Sequence, residues 1–304
     1  MHEGSRRAII AAFLANLGIA IAKFVGFFVT GAASMLAEAI HSMADTANQG
    51  LLFLGGRRSE RGPTAKHQFG HGRERYFWAF VVSLMLFSVG GLFALFEGEE
   101  KLRHPHTVES AWWAIGILSF AVLLESFSLR TAVQEASKSR DPDESWWRFI
   151  RHAKVPELPV VLLEDVGALV GLAFALVGVV VAEVTGNGRF DAIGSLAIGV
   201  LLVAIASVLA IEMKSLLIGE AASPRRTKAI EEAITGSPAV RQLIHMRTEH
   251  LGPDELLVAA KVEFDRSLTF EALARAIDET EARIRSAVPS VQLIYIEPDY
   301  VRTG

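Results

Sequence analysis

The chain has 304 residues, of which 51% are hydrophobic and 21% charged; it has no cysteine and a formal net charge of −4. A soluble protein of this size carries nearer a quarter charged residues, and here the apolar residues gather into long runs ending near residue 218. These figures exclude a soluble protein, a disordered chain and a nucleic-acid binder. Without thiolates, any metal must be held by His, Asp, Glu, Asn or backbone oxygen.

The apolar runs predict six membrane spans, roughly 8–29, 34–55, 77–97, 111–132, 157–183 and 190–217. Each is long enough to cross a hydrocarbon core of about 30 Å. Arg6-Arg7 leads straight into the first full-length run with no small-residue cleavage site, so no secretory signal is expected. Thr30-Gly31-Ala32-Ala33 and Thr185-Gly186-Asn187-Gly188 are tight turns between neighbouring spans. Segment 56–76 carries Arg57, Arg58, Arg61, Lys66, Arg73 and Arg75, and segment 130–156 carries six more basic residues. The opposite loops offer only Lys101, Arg103 and Arg189. The basic loops therefore lie on the cytoplasmic side with both termini.

Between the fourth and fifth spans, Asp141-Pro142-Asp143-Glu144 reads as a helix start. Trp146, Trp147, Phe149 and Ile150 then give either an interfacial helix or a short packed linker. After residue 219 the texture becomes that of a soluble domain. Helices are expected over 225–235 and 269–287, and strands over 241–250, 255–265 and 291–295. The fold class is thus a membrane all-α domain of six transmembrane helices (1–219) followed by a small α+β domain of order αββαβ (220–304).

Ionisable groups at membrane depth are costly and mark function. In the second span His41 and Asp45 stand four apart on one helical face, where imidazole and carboxylate can share a borderline dication such as Zn²⁺. The fifth span places Glu164 and Asp165 among aliphatic residues. Counting the helical rise, Asp45 lies about 17 Å from the outer surface and Asp165 about 12 Å from the inner one, so they meet near the midplane. His41, Asp45 and Asp165 make three ligands, and Glu164 or Glu125 of the fourth span competes for the next place. Lys23 and Glu38 are expected to form an ion pair between the first two spans. Asn16 remains undecided. His67 and His71 could form a second, loop-borne metal site or simply pack on the third span. His104, His106, His245 and His250 are read as ordinary residues. No nucleophile–base pair and no HExxH-type helix is present, so no enzyme is expected.

These residues resemble the cation diffusion facilitator family over essentially the whole chain. The resemblance rests on the helix Glu38-Ala-Ile-His41-Ser-Met-Ala-Asp45, the loop Phe69-Gly70-His71-Gly72-Arg73, Asp165 in span five, and the αββαβ tail. Further strings are similar to the branch of zinc transporter nine, a mitochondrial zinc exporter. They are Asn48-Gln49-Gly50-Leu51-Leu52, His104-Pro105 with Glu109-Ser110, Ser139-Arg140-Asp141-Pro142, Leu162-Leu163-Glu164-Asp165 and Gly194-Ser195-Leu196.

The resemblance implies a ferredoxin-like tail and a homodimer that exchanges a divalent cation for protons by alternating access, with Zn²⁺ as transported substrate and Mn²⁺, Fe²⁺ or Co²⁺ as alternatives. A non-transporting, metal-sensing membrane scaffold is the reading from another class. The family's transport site takes two residues four apart on span two and two on span five. Those positions are His41, Asp45, Val161 and Asp165, and Val161 cannot bind metal. Arg75 replaces an acidic residue of the family's loop motif. Lys261, Tyr295 and Glu297 stand where relatives often hold tail zinc, so no binuclear tail site is expected. No transit segment precedes span one, so a bacterial inner or plasma membrane is expected.

Overall fold

The computed structural model describes the backbone of residues 3–30, 33–104, 111–140 and 143–301, and the side chains of 6–25, 28, 42–104, 112–140 and 143–301. Two compact units emerge, one of residues 1–60 and 74–214, the other of 61–73 and 215–304.

The first unit consists of long helices: α1 (Glu3–Thr30), α2 (Ala33–Ser59), α3 (Glu74–Met85), α4 (Phe93–Arg103), α5 (Ala111–Ser139), α6 (Trp146–His152), α7 (Glu157–Thr185) and α8 (Arg189–Ile218). Among the described residues five apolar stretches are long enough to cross a membrane: those in α1, α5, α7 and α8, and the continuous run Glu74–Arg103. Helix α2 has the length but is too polar to stand among them, because it carries the ionisable ladder. The third span is also not one regular helix. Residues Leu86–Leu92 form a π-helical segment between α3 and α4. Its sequence, Leu-Phe-Ser-Val-Gly-Gly-Leu, reads as an uninterrupted apolar run. The two glycines there weaken the regular ladder, and Ser88 Oγ donates back to the Leu84 carbonyl at 2.8 Å.

Helix α1 packs against α2, α5 and α7, and α5 packs against α7. The third and sixth spans meet at backbone distance. A Cβ at Gly98 would stand 2.9 Å from the Leu196 amide nitrogen, and one at Gly199 2.8 Å from that of Leu95. Small residues allow such approach where no water is available to drive helices together.

Arg75 at the start of α3 and Glu157 at the start of α7 form a buried, two-pronged ion pair, with Nε–Oε1 at 2.5 Å and Nη2–Oε2 at 2.7 Å. Planar guanidinium and carboxylate match in this geometry. The linker helix begins at Trp146, later than the acidic run suggests. Ser145 is its cap, and its Oγ accepts from the Arg148 amide at 3.2 Å. A hydroxyl at that position takes a free helix donor. Phe149 and Ile150 are buried while Trp146 and Trp147 are exposed, and Arg151 pairs with Glu212 at 2.8 Å.

The second unit contains α9 (Pro224–Thr235), β1 (Val240–Gly252), β2 (Glu255–Phe264), α10 (Phe270–Ala287) and β3 (Val291–Pro298). The sheet order is β1-β2-β3, antiparallel between β1 and β2 and parallel between β2 and β3, with Thr248 opposite Val258 and Val258 opposite Ile294. Leu256, Val258, Ala260 and Val262 alternate on one face of β2 and bury against Ile230, Ile234 and Ile284 of the two helices. This is the α+β arrangement read from the sequence. Ser223 and Thr269 cap the helices, and Pro224 occupies the first turn of α9.

Residues 61–73 belong to this second unit. A Cβ at Gly72 would stand 2.6 Å from the Leu251 carbonyl oxygen, so only glycine fits against the β1–β2 turn. Arg73 pairs with Glu249 of β1. Burial, and secondarily the charge of Asp254, pushes the Glu255 carboxyl above the ordinary carboxylate range.

Two outcomes are expected. Arg75→Ala strands a buried carboxylate and should cost about 3–5 kcal/mol of stability, read as a lowered unfolding midpoint of the detergent-solubilised protein. A raised Glu255 pKa means that this site is most stable below the unfolded value and loses stability as pH rises through the folded one. Glu255→Gln should therefore increase amide-exchange protection at 249–256 near pH 7 and leave it unchanged near pH 4.

Candidate metal-transport site

The ionisable residues of the spans converge where α1, α2, α5 and α7 pack together. Asp165 of α7 is 2% exposed, and its Oδ2 accepts from Ser128 Oγ of α5 at 2.8 Å. Glu125, one turn before Ser128 on the same face of α5, is buried and lies within the electrostatic reach of Asp165, Asp45 and Lys23. Glu164, also buried, feels Asp45 and Asp165. Four carboxylates from three helices thus act on one another in a region of low dielectric, where uncompensated charges repel strongly.

Their partners differ. Both oxygens of Glu164 accept from side-chain amides of α2: Asn48 Nδ2 donates to Oε1 at 3.2 Å, and Gln49 Nε2 donates to Oε2. Asp165 takes one hydroxyl. Glu125 forms no hydrogen bond among the described residues. Asp45 is half-buried and has further interactions of its own. The backbone of His41 belongs to α2, but its side chain lies outside the described residues, as does that of Glu38. Lys23, expected to pair with Glu38, reaches Ser42 Oγ at 2.9 Å. Asn16 is buried in α1. Val161, at the apolar fourth position, is fully buried. Among the described residues no three His, Asp or Glu side chains stand close enough to hold an ion together.

Ser128, Asn48 and Gln49 complete the polar lining. Asn48 and Gln49 follow Asp45 by three and four residues, the spacing that puts them on its face. Ser128 follows Glu125 by three. That spacing was the available signal.

The histidines outside the spans are separate. His67 and His71 stand with ring centroids 4.7 Å apart, in the loop grouped with the tail. His104 Nδ1 lies 3.0 Å from Glu100, and His106 lies outside the described residues. His245 is exposed, whereas His250 is fully buried with Nδ1 3.3 Å from the Gly252 carbonyl oxygen. In the tail, Lys261 Nζ sits between Glu297 at 2.9 Å and Asp299 at 3.2 Å. Hydrogen bonds to these carboxylates hold its ammonium pKa above the usual lysine value.

Residues 9–218 match the model of the cation efflux transmembrane domain. The chain belongs to this family, the cation diffusion facilitators. The family is one of transporters rather than enzymes, and the protein is a multi-pass membrane protein. It is similar to the human proton-coupled zinc antiporter SLC30A9, mitochondrial, being 31% identical over 86% of this chain and 46% of that protein. It is 28% identical to metal tolerance protein C4 of Arabidopsis thaliana over 88% of this chain and 59% of that one. With the cation-efflux pump FieF of Pectobacterium atrosepticum the identity is 25% over 94% of this chain and 90% of that one. The chain thus spans about half the length of the first curated relatives it matches.

Removing the hydroxyl that orients Asp165 tests whether this lining matters. Ser128→Ala should weaken dication binding about tenfold, as loss of a ligand-orienting hydrogen bond does elsewhere. Titration calorimetry of the purified protein measures it.

Proposed function

We propose that the protein is a proton-coupled antiporter that exports divalent cations, Zn²⁺ foremost, from the cytoplasm by alternating access. The observation that carries this reading is that buried Glu125 of α5 lies within electrostatic reach of Asp45 of α2 and Asp165 of α7, all in the spans of a cation-efflux domain. His41, one turn from Asp45, supplies the imidazole that turns an oxygen site toward Zn²⁺. Glu125 is the preferred fourth ligand because it is uncommitted, whereas both oxygens of Glu164 are occupied by amide donors.

Ligands must shed protons to bind metal, so metal release and protonation are linked. His41, with an unperturbed pKa of about 6.5, is the natural proton acceptor. The basic loops lie on the cytoplasmic side with both termini, and the ion is drawn in by the acidic site rather than by the loops. Residues 220–304 form the dimerisation domain of a homodimer, and 1–219 the transport domain. In the tail the Lys261 ammonium sits between Glu297 and Asp299, a cation at the place a second metal would need, which supports the absence of a binuclear metal centre there.

Reconstituted proteoliposomes provide the test. Zn²⁺ uptake should rise with an imposed pH gradient and fall at least about a hundredfold in Asp45→Ala, a loss of more than about 2.7 kcal/mol of site stabilisation. Flux that ignores the gradient would point to a uniporter, and metal binding without flux would point to a sensor or scaffold.

A further inference from the structure

The amides of Asn48 and Gln49 are 2% and 0% exposed, and each gives its nitrogen to Glu164. A carboxylate receiving hydrogen bonds offers only acceptors, so the amide must turn its NH₂ toward it and its oxygen away. Those two oxygens, Asn48 Oδ1 and Gln49 Oε1, are buried and make no hydrogen bond among the described residues. Buried carbonyl oxygens without partners are rare, and each calls for an explanation.

Donation of the N–H to a carboxylate polarises an amide and strengthens its oxygen as an electron donor. Two such oxygens on adjacent residues, three and four positions after Asp45, lie on the same side of α2 as that carboxylate. Neutral carbonyl oxygens together with a carboxylate are the donor set of a hard, partly hydrated dication; they lack the nitrogen or sulfur that favours Zn²⁺. Glu164 supplies negative charge through the amides without itself being a ligand.

We propose that Asn48 Oδ1 and Gln49 Oε1, with Asp45, form an oxygen-only station for the transported dication, one helical turn beyond Asp45 along α2, so that Asp45 is shared between this station and the His41–Asp45 pair. This deepens the transport reading above and rests on it. The station takes hard dications with Mn²⁺ as the representative ion, so the chain carries Mn²⁺ as well as Zn²⁺. Asn48 and Gln49 set that breadth.

The experiment measures Mn²⁺ and Zn²⁺ uptake separately in proteoliposomes of the full chain, using the free ions as probes. Asn48→Leu and Gln49→Met remove the oxygens at similar volume and should lower the Mn²⁺-to-Zn²⁺ uptake ratio about tenfold. Gln49→Glu keeps an oxygen while losing the donor, and should hold the ratio at or above that of the natural protein. A role confined to supporting Glu164 would lower both ions by one factor; an unchanged ratio in the apolar variants overturns the station. So does a natural protein that carries no Mn²⁺. If neither apolar variant is recovered folded, Gln49→Glu decides alone, and a fallen ratio overturns the station. Asp45→Ala separates the two claims. Persistent Zn²⁺ flux there overturns the transport reading itself. A silent Asp45→Ala beside an unchanged ratio overturns only the station.

Discussion

A carboxylate inside a bilayer must be compensated, and this constraint organises the first unit. An acidic side chain at the centre of a membrane helix costs on the order of 2.5–3.5 kcal/mol even on lenient scales. The chain carries several. It gathers them where α1, α2, α5 and α7 pack, gives Asp165 a hydroxyl and gives Glu164 two amides. Glu125 is buried and makes no hydrogen bond among the described residues, and its charge is what a dication would neutralise.

The rest of the first unit holds that junction in register. The third and sixth spans approach through Gly98 and Gly199 closely enough that side chains would block them. Gly18 likewise allows Leu124 of α5 to sit against α1, beside Glu125. The Arg75–Glu157 pair fixes the start of α7 about 12 Å along the helix from Asp165. Arg75 is buried in this pair with Glu157.

Much of this was legible in the sequence, for a physical reason in each case. Apolar run length marks every expected span but the second, and period-two burial in Leu256, Val258 and Val262 fixes the tail strand. The charged ladder of α2 stands out because such residues have no other reason to be in a span. Other features depend on contacts that no local pattern encodes. Ser126, Thr131 and Ser137 of α5 all bond their own helix carbonyls, whereas Ser128 turns to Asp165, and spacing alone cannot separate the two habits. Gly72 and Arg73 look like a flexible basic loop until Arg73 meets Glu249, 176 residues along the chain. The competition between Glu164 and Glu125 was open in the sequence because both have the right depth. In the structure Glu164 accepts hydrogen bonds from Asn48 and Gln49, while Glu125 forms none among the described residues.

The most direct test is a structure of the metal-loaded protein, with anomalous scattering recorded at the zinc edge. The account predicts an anomalous peak between α2, α5 and α7, within coordination distance of His41, Asp45 and Asp165 and completed by Glu125. Those side chains turned apart, or toward lipid, with no ion between them at saturating metal would contradict it.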